Sequence, residues 1–333
     1  MSRPSIRPSI RPSRYRHRCD TDKDFYDIVV YHSPCPDGIC AAWVVKMFNS
    51  SISLIPFKHN AAPNTSLTGK RVIFVDCCYS PDVMDSLKIK KVLILDHHDS
   101  ALTSYEGYCY PDTMESFSAY FDMNKSGAQM AWNYFFPEKE MPWFIYCIAA
   151  RDLKRIEIYP RVDTVGLAAC KNHWWFPKLT ELYNSQDPER DQEYFHQQGL
   201  IFQEDIQRSI GFVFRSAILA NMNTPTGERY KISLASCSKD LVTDAAIRMA
   251  DELDCQFAAI YWFNAKEKWF EISLRHGSKT DQKNPKINLG RIASTFEFGD
   301  SEIETHTKGG GHPCAAKFVF PYTIDFYSIF EMI

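Results

Sequence analysis

No run in the 333 residues approaches the ~20 consecutive apolar side chains that a membrane-crossing helix needs, so no membrane partner is expected. An apolar core is also missing near the N-terminus, which argues against a secretory signal. The eleven cysteines contain no CxxC pair. An odd count without framework spacing points to a reducing compartment, with most thiols packed as small apolar side chains. A basic excess is missing too. The net charge of −3 is the sum of six arginines and no acid in the first 18 residues and about −9 in the remainder. An acidic body lacks the field that tracks a long phosphate backbone, so no stable complex with long nucleic acid is expected.

What is present is the composition of a globular protein, 45% hydrophobic and 24% charged, in a chain long enough for two domains. The opening MSRPSIRPSIRPSRYRHRC repeats RPSI and reads as a disordered basic arm over 1–24. Arg- and Ser-rich, acid-free character is also that of a mitochondrial presequence, but the prolines oppose the amphipathic helix such presequences form. A cytoplasmic location is the expectation, with the mitochondrion as the alternative.

From Asp27 onward, apolar runs alternate with helical periods. DIVVYH, ISLIPF, RVIFVDCC and KVLILDHH read as strands; GICAAWVVKMF and SPDVMDSLKI read as helices, the latter with Ser80 as cap and Pro81 in its first turn. Strands alternating with helices across short loops predict an α/β fold with a parallel sheet covered on both faces. Helical periods continue in SGAQMAWNYFF and PWFIYCIAARDL. Glu189 to about Ala220 reads as a long connecting helix, continuous or broken at Gly199 or Gly211. MNTPTGER reads as a turn-rich boundary, after which a smaller α/β unit with a mixed sheet begins. The expected organisation is an N-terminal domain over 25–188, a linker helix over 189–224 and a C-terminal domain over 225–333, with a cleft between the two domains.

In a parallel sheet, ligands gather outside the carboxyl ends of the strands. The first strand ends at His32 and Asp37, the third at Asp76, and the fourth at Asp96, His97 and His98; the helix PWFIYCIAARDL adds Asp152. Three strand ends thus deliver acid or imidazole to one edge. Mixed carboxylate and imidazole ligation suits Mn²⁺ or a similar divalent ion, and two ions about 3.5–4 Å apart require a bridging carboxylate. Each residue also has a plainer reading. Asp37 could cap the helix that follows it, and Asp152 could sit in a solvated helix end. A second constellation, THTKGGGHPCAAKF, reads as an anion-binding glycine nest at Gly309, Gly310 and Gly311 beside Lys308 and His312, and Arg275 adds a fork-shaped phosphate donor.

In chain order the motifs HSPCPDG, VDCC, LDHH, AARDL and GGGHPCAAKF resemble those of the DHH phosphoesterase superfamily, in the subgroup of RecJ-type exonucleases, oligoribonucleases and cyclic-dinucleotide phosphodiesterases. The resemblance implies two divalent ions, Mn²⁺ first, with Mg²⁺, Co²⁺ or Zn²⁺ as alternatives. It places metal ligands at His32, Asp37, Asp76, His97 and Asp152, with Asp76 bridging and Asp96 orienting a histidine. Asp76, His98, Arg275 and His312 stand at catalytic positions. His98, Arg275, Gly309, Gly310, Gly311 and His312 stand where substrate is held. The implied reaction is hydrolysis of a short oligonucleotide, or of a linear or cyclic dinucleotide, to mononucleotides by in-line attack of a metal-bound hydroxide. A homodimer is compatible with the resemblance. The alternatives are a pyrophosphatase or polyphosphatase, and a nucleotide-binding protein with a weakened site. One departure bears on the metals: where the first motif usually reads DxDG, this chain has Cys35-Pro36-Asp37-Gly38, so the first ion is held by His32, Asp76 and water with fewer protein ligands, or Cys35 coordinates a softer ion such as Zn²⁺, or the site is weakened. Cys314 and Lys317 are milder departures, standing where a polar amide and a glycine are usual.

Overall fold

Three of the apolar runs that end in an acid or an imidazole become adjacent strands of one sheet. The computed structural model describes residues 26–58, 62–153, 155, 160–281, 285–300 and 305–333, with backbone alone at 160, 299, 300 and 305–308. The expected arm 1–24 and the side chain of Lys308 lie outside the described residues. The chain divides into two compact units, one up to Gln203 and one from Glu204.

The first unit starts with β1 (Ile28–His32), α1 (Pro36–Phe48), β2 (Ser53–Phe57), β3 (Arg71–Val75) and α2 (Pro81–Ser86). β4 (Lys91–Asp96), α3 (Asp99–Ser104), β5 (Ser116–Phe121), α4 (Gly127–Phe135) and α5 (Trp143–Asp152) follow. Then come α6 (Pro160–Lys171), α7 (Phe176–Tyr183) and α8 (Pro188–Ser216). The five strands form an all-parallel sheet in the order β2-β1-β3-β4-β5. The order reverses between β1 and β3, which makes a crevice at their carboxyl ends.

Strand periodicity decides how the two faces are filled. Val29, Tyr31, Ile73, Val75, Leu93 and Leu95 pack on one side with Trp43 of α1 and Trp132 of α4. Their neighbours Ile28, Val30, Val72, Phe74, Val92 and Ile94 pack on the other, with Met84 of α2 and Tyr105. Each of these large apolar side chains contributes about 1.5–3 kcal/mol by leaving water. α8 is one continuous helix through Gly199 and Gly211, with Glu189 and Asp191 in its first turn and Arg215 in its last, matching the helix dipole. The division between the units falls inside it.

The second unit contains β6 (Ile218–Asn223), β7 (Arg229–Ser236), α9 (Val242–Glu252), β8 (Phe257–Asn264), β9 (Trp269–Arg275) and α10 (Leu289–Ser294). β10 (Glu297–Asp300), β11 (Thr305–Lys308), β12 (Gly310–His312), β13 (Ala315–Pro321), α11 (Phe326–Ile329) and β14 (Phe330–Met332) complete it. Its seven-stranded sheet runs β12-β13-β9-β8-β7-β6-β14 and is mixed: β7 and β8 are parallel, the other pairs antiparallel. MNTPTGER forms the connection between β6 and β7, which pair directly. Among the described residues no helix is long and apolar enough to cross a membrane.

On this sheet Glu271 is 4% exposed, yet charged. Lys317 Nζ lies 2.7 Å from Oε2, Asn264 Nδ2 donates to Oε1 at 3.0 Å, and Lys239 Nζ lies 3.4 Å away. Burial opposes the charge, but these three partners outweigh it and hold the carboxyl down to about 2. A depressed folded-state pKa means stability that is present above the unfolded value and lost as pH falls toward 2. Both lysines are more than half exposed, so screening trims the effect. Glu271→Gln is expected to cost the second unit about 1–2 kcal/mol at pH 7 and to remove its acid sensitivity below pH ~4.5. Hydrogen exchange of the β8, β9 and β13 amides at pH 7 and pH 4 measures both.

Candidate metal centre

The sheet register brings the strand ends together. Tyr31 lies beside Val75 and Val75 beside Leu95, so the residues that follow, His32, Asp76 and Asp96, share one edge. Asp76 leaves the strand with φ 57°, a left-handed conformation that aspartate tolerates better than most side chains. Its amide still bonds Leu95 O at 3.0 Å. The turn carries the carboxylate between two imidazoles: Oδ2 is 3.3 Å from His32 Nδ1 and Oδ1 is 3.1 Å from His97 Nε2. Asp76 is 1% exposed.

Asp37 arrives by another route. α1 begins at Pro36 with Cys35 as its cap residue, so Asp37 is already inside the helix and does not cap it. Its carboxylate instead receives the first amides of α4, from Gly127 at 2.6 Å and Ala128 at 3.2 Å. The capping contact read from sequence is thus made with a helix 90 residues away, because two strand-to-helix turns meet at this edge. Asp152, at the end of α5, places Oδ2 3.3 Å from His97 Nε2. Its neighbour Arg151 pairs with Asp163 at 2.9 Å, so that helix end is not simply solvated.

Asp96 is 1% exposed and its Oδ1 accepts three hydrogens: from the His97 amide at 2.7 Å, the His98 amide at 3.3 Å and His98 Nδ1 at 2.6 Å. That last bond sets the ring of His98 and, in the neutral form, leaves Nε2 as the acceptor. Asp96 therefore holds the turn and orients His98.

Three overlapping donor groups result: His32, Cys35 and Asp76; Asp76, His97 and His98; and Asp37, His97 and Asp152. Within each, one atom per residue lies within 4.8 Å of the others. The electrostatics fit a cation. Burial raises Asp37 well above the usual carboxylate range, with Asp76 and Asp152 reinforcing it. Burial and Asp76 raise Asp152. Burial would also raise Asp76, but hydrogen bonds from His32 and His97 outweigh it and hold it low. Burial opposes a charge on His97, yet Asp76 first, then Asp152 and Asp37, push it up to about 9. The hydrogen bond with Asp96 raises His98. Buried carboxylates are thus competing for too few positive partners. Asp152 Oδ2 is buried and meets no hydrogen bond of good geometry. An imidazole, carboxylate and thiol set with such an atom fits a divalent cation.

The second-unit candidates have their own environment. Arg275 Nη1 donates to the carbonyl of Leu274 at 2.8 Å and of Ala316 at 3.4 Å. Gly310–His312 is an edge strand paired with β13, and the Gly309 amide already bonds Phe296 O at 2.9 Å. The glycines serve close packing: a side chain at Gly309 would overlap the Ala293 carbonyl of α10, and one at Gly311 would meet the backbone of Ala315 and Ala316. His312 is exposed.

Sequence reasoning missed Ser126, Gly127 and Ala128, which hold Asp37. Their signal was readable: SGAQ is a capping box, with Ser126 and Gln129 satisfying each other's amides, and the residue after the cap is the smallest available.

No family model matches the chain. It is 30% identical over 150 residues to an uncharacterized protein of Acanthamoeba polyphaga mimivirus, over 40% of this chain and 34% of that one. The match therefore spans about a third of that relative's own length. Among solved structures it is similar to the pGpG-specific phosphodiesterase PggH of a Vibrio, at 12% identity and TM-score 0.43, covering 90% of this chain and 94% of that one. It is also similar to RecJ of Thermus thermophilus in complex with Mn²⁺, at 12% identity and TM-score 0.48, covering 89% and 49%.

Proposed function

We propose that this chain is a divalent-metal-dependent phosphoesterase that hydrolyses short oligonucleotides or dinucleotides, linear or cyclic, to mononucleotides. One observation carries the reading: His32, Cys35, Asp37, Asp76, His97, His98 and Asp152 come from four separate segments and converge at one edge of a parallel sheet. On this reading His32, Asp37, Asp76, His97 and Asp152 would hold two divalent ions, and the two oxygens of Asp76 face His32 and His97. When bound, divalent ions supply an activated water and neutralise charge gained at phosphorus. The chain's own groups do the rest. Asp37 is fixed by the amides of Gly127 and Ala128, so its position costs no rearrangement at the moment of reaction. His98, set by Asp96, when protonated offers its Nε2–H to a phosphate oxygen or passes that proton to the leaving oxygen. Arg275, Gly309–Gly311 and His312 hold the nucleotide end, a role that rests on their motifs.

The test is turnover of a linear dinucleotide, a cyclic dinucleotide and pyrophosphate by the full chain with Mn²⁺, Mg²⁺ or chelator. Mononucleotide release from a dinucleotide, lost with chelator, is the expected result. Phosphate release from pyrophosphate alone would replace the proposal with a pyrophosphatase. Nucleotide binding without turnover under any ion would leave only the weakened, non-catalytic form.

A further inference from the structure

We infer that the two metal positions differ in kind: Cys35 ligates as a thiolate with His32 and Asp76, giving a site for Zn²⁺-class ions. Asp37, His97 and Asp152 make a second site, of nitrogen and oxygen donors only, for Mn²⁺-class ions. The inference rests on the metal centre of the proposed function and assigns it a mixed pair.

Two observations carry it. First, the sulfur of Cys35 and single atoms of His32 and Asp76 lie within 4.8 Å of one another. An ion about 2.0–2.3 Å from each donor spreads such a set by about 3–4 Å, so side-chain adjustment alone suffices. Second, Cys35 is not committed to a hydrophobic core. Cys40 and Cys147 belong to one core and Cys77 to the other, whereas Cys35, like Cys109 and Cys170, joins neither and is half-buried. A thiol gives up its proton when it coordinates a divalent ion, so Cys35 would ligate as a thiolate. Thiolate selects zinc-type ions over Mn²⁺ and Mg²⁺, while carboxylates with one imidazole do not. Substituting a thiol for the usual aspartate therefore changes which ion is held.

The experiment strips the full chain with chelator, then titrates Co²⁺ while recording the thiolate-to-cobalt charge-transfer band in the near ultraviolet. The wild type, Cys35→Ser and Cys35→Asp are compared, since ten other cysteines are present in all three. In parallel, each protein is dialysed against equal Zn²⁺ and Mn²⁺ and its bound metals are counted. Wild type is expected to show the band and to retain both metals. Cys35→Asp is expected to lose the band, keep two ions, and lower its Zn-to-Mn ratio more than about tenfold. Cys35→Ser is expected to lose the band and most of the zinc. If wild type binds two ions with a spectrum unchanged by either substitution, the thiolate inference falls and the metal-centre reading stands. If wild type binds no divalent ion, the reading itself falls and takes the inference with it.

Discussion

Asp76→Asn is expected to lower dinucleotide turnover by at least about a hundredfold to a thousandfold, the scale set by losing a group that stabilises transition-state charge. It is expected to do so without unfolding the protein. The substitution keeps the shape, and asparagine accepts the left-handed φ of 57° at least as well as aspartate. The sheet bond from its amide to Leu95 is untouched. What is lost is the negative charge shared between His32 and His97. In the metal-free chain, Asp37 and Asp152 gain from that loss, because Asp76 raises the pKa of both. The lost pairing of Asp76 with His32 and His97 opposes that gain, so metal-free stability should stay within about 1–2 kcal/mol of wild type. The stabilisation that added Mn²⁺ gives wild type should vanish, since a ligand stabilises only as far as it binds. Thermal unfolding with and without Mn²⁺, beside turnover, separates charge from fold. Wild-type turnover in Asp76→Asn would mean that the carboxylate between the two histidines is not part of the reaction.

The sequence made some of this legible and not the rest, for physical reasons. β1, β3 and β4 were readable because strands of a parallel sheet are buried on both faces and so appear as unbroken apolar runs. Their ends were readable because His32, Asp76 and Asp96 interrupt those runs. β5, SFSAYF, lies at the sheet edge, mostly half-buried, and its mixed pattern hides it. β6 follows α8 with one residue between, and its apolar residues continued the helical reading. MNTPTGER shows turn chemistry, which is the same between two domains as between two paired strands. The packing role of the glycine motif was not legible either. Glycine marks close approach as well as turns, and a side chain at Gly309 or Gly311 would meet neighbouring backbone. For Asp37 the residue was legible but its partner was not. Its carboxylate meets amides 90 and 91 residues away, a contact no local pattern encodes.

That contact yields the other large effect. Gly127→Ala looks favourable by helix propensity, where alanine gains up to about 1 kcal/mol over glycine. Sterics oppose it more strongly. A Cβ at Gly127 would stand 2.6 Å from Asp76 Cβ, 3.1 Å from Asp76 Cα and 3.0 Å from Asp37 Oδ2. Asp76 cannot retreat, because its backbone is tied into the sheet edge through Leu95. The start of α4 must then withdraw, which lengthens the bonds from Gly127 and Ala128 to Asp37. A carboxylate 1% exposed would lose its amide partners. Overpacking and an unsatisfied buried charge each cost about 1–3 kcal/mol, so the net change is a destabilisation of about 2–4 kcal/mol. Turnover is expected to fall about a hundredfold or more, because displacement of a metal-side group by even about 1 Å is costly to a positioned reaction. The decisive comparison is with Asp37→Asn. That variant keeps a carbonyl oxygen for the Gly127 amide, leaves the Ala128 amide facing its Nδ2 and loses the charge, so it should bind metal weakly at a cost of about 1–2 kcal/mol. Gly127→Ala should lose metal binding and more stability. Native stability and full activity in Gly127→Ala would show that α4 does not press on the two carboxylates, and that Asp37 is held in place by something other than its amides.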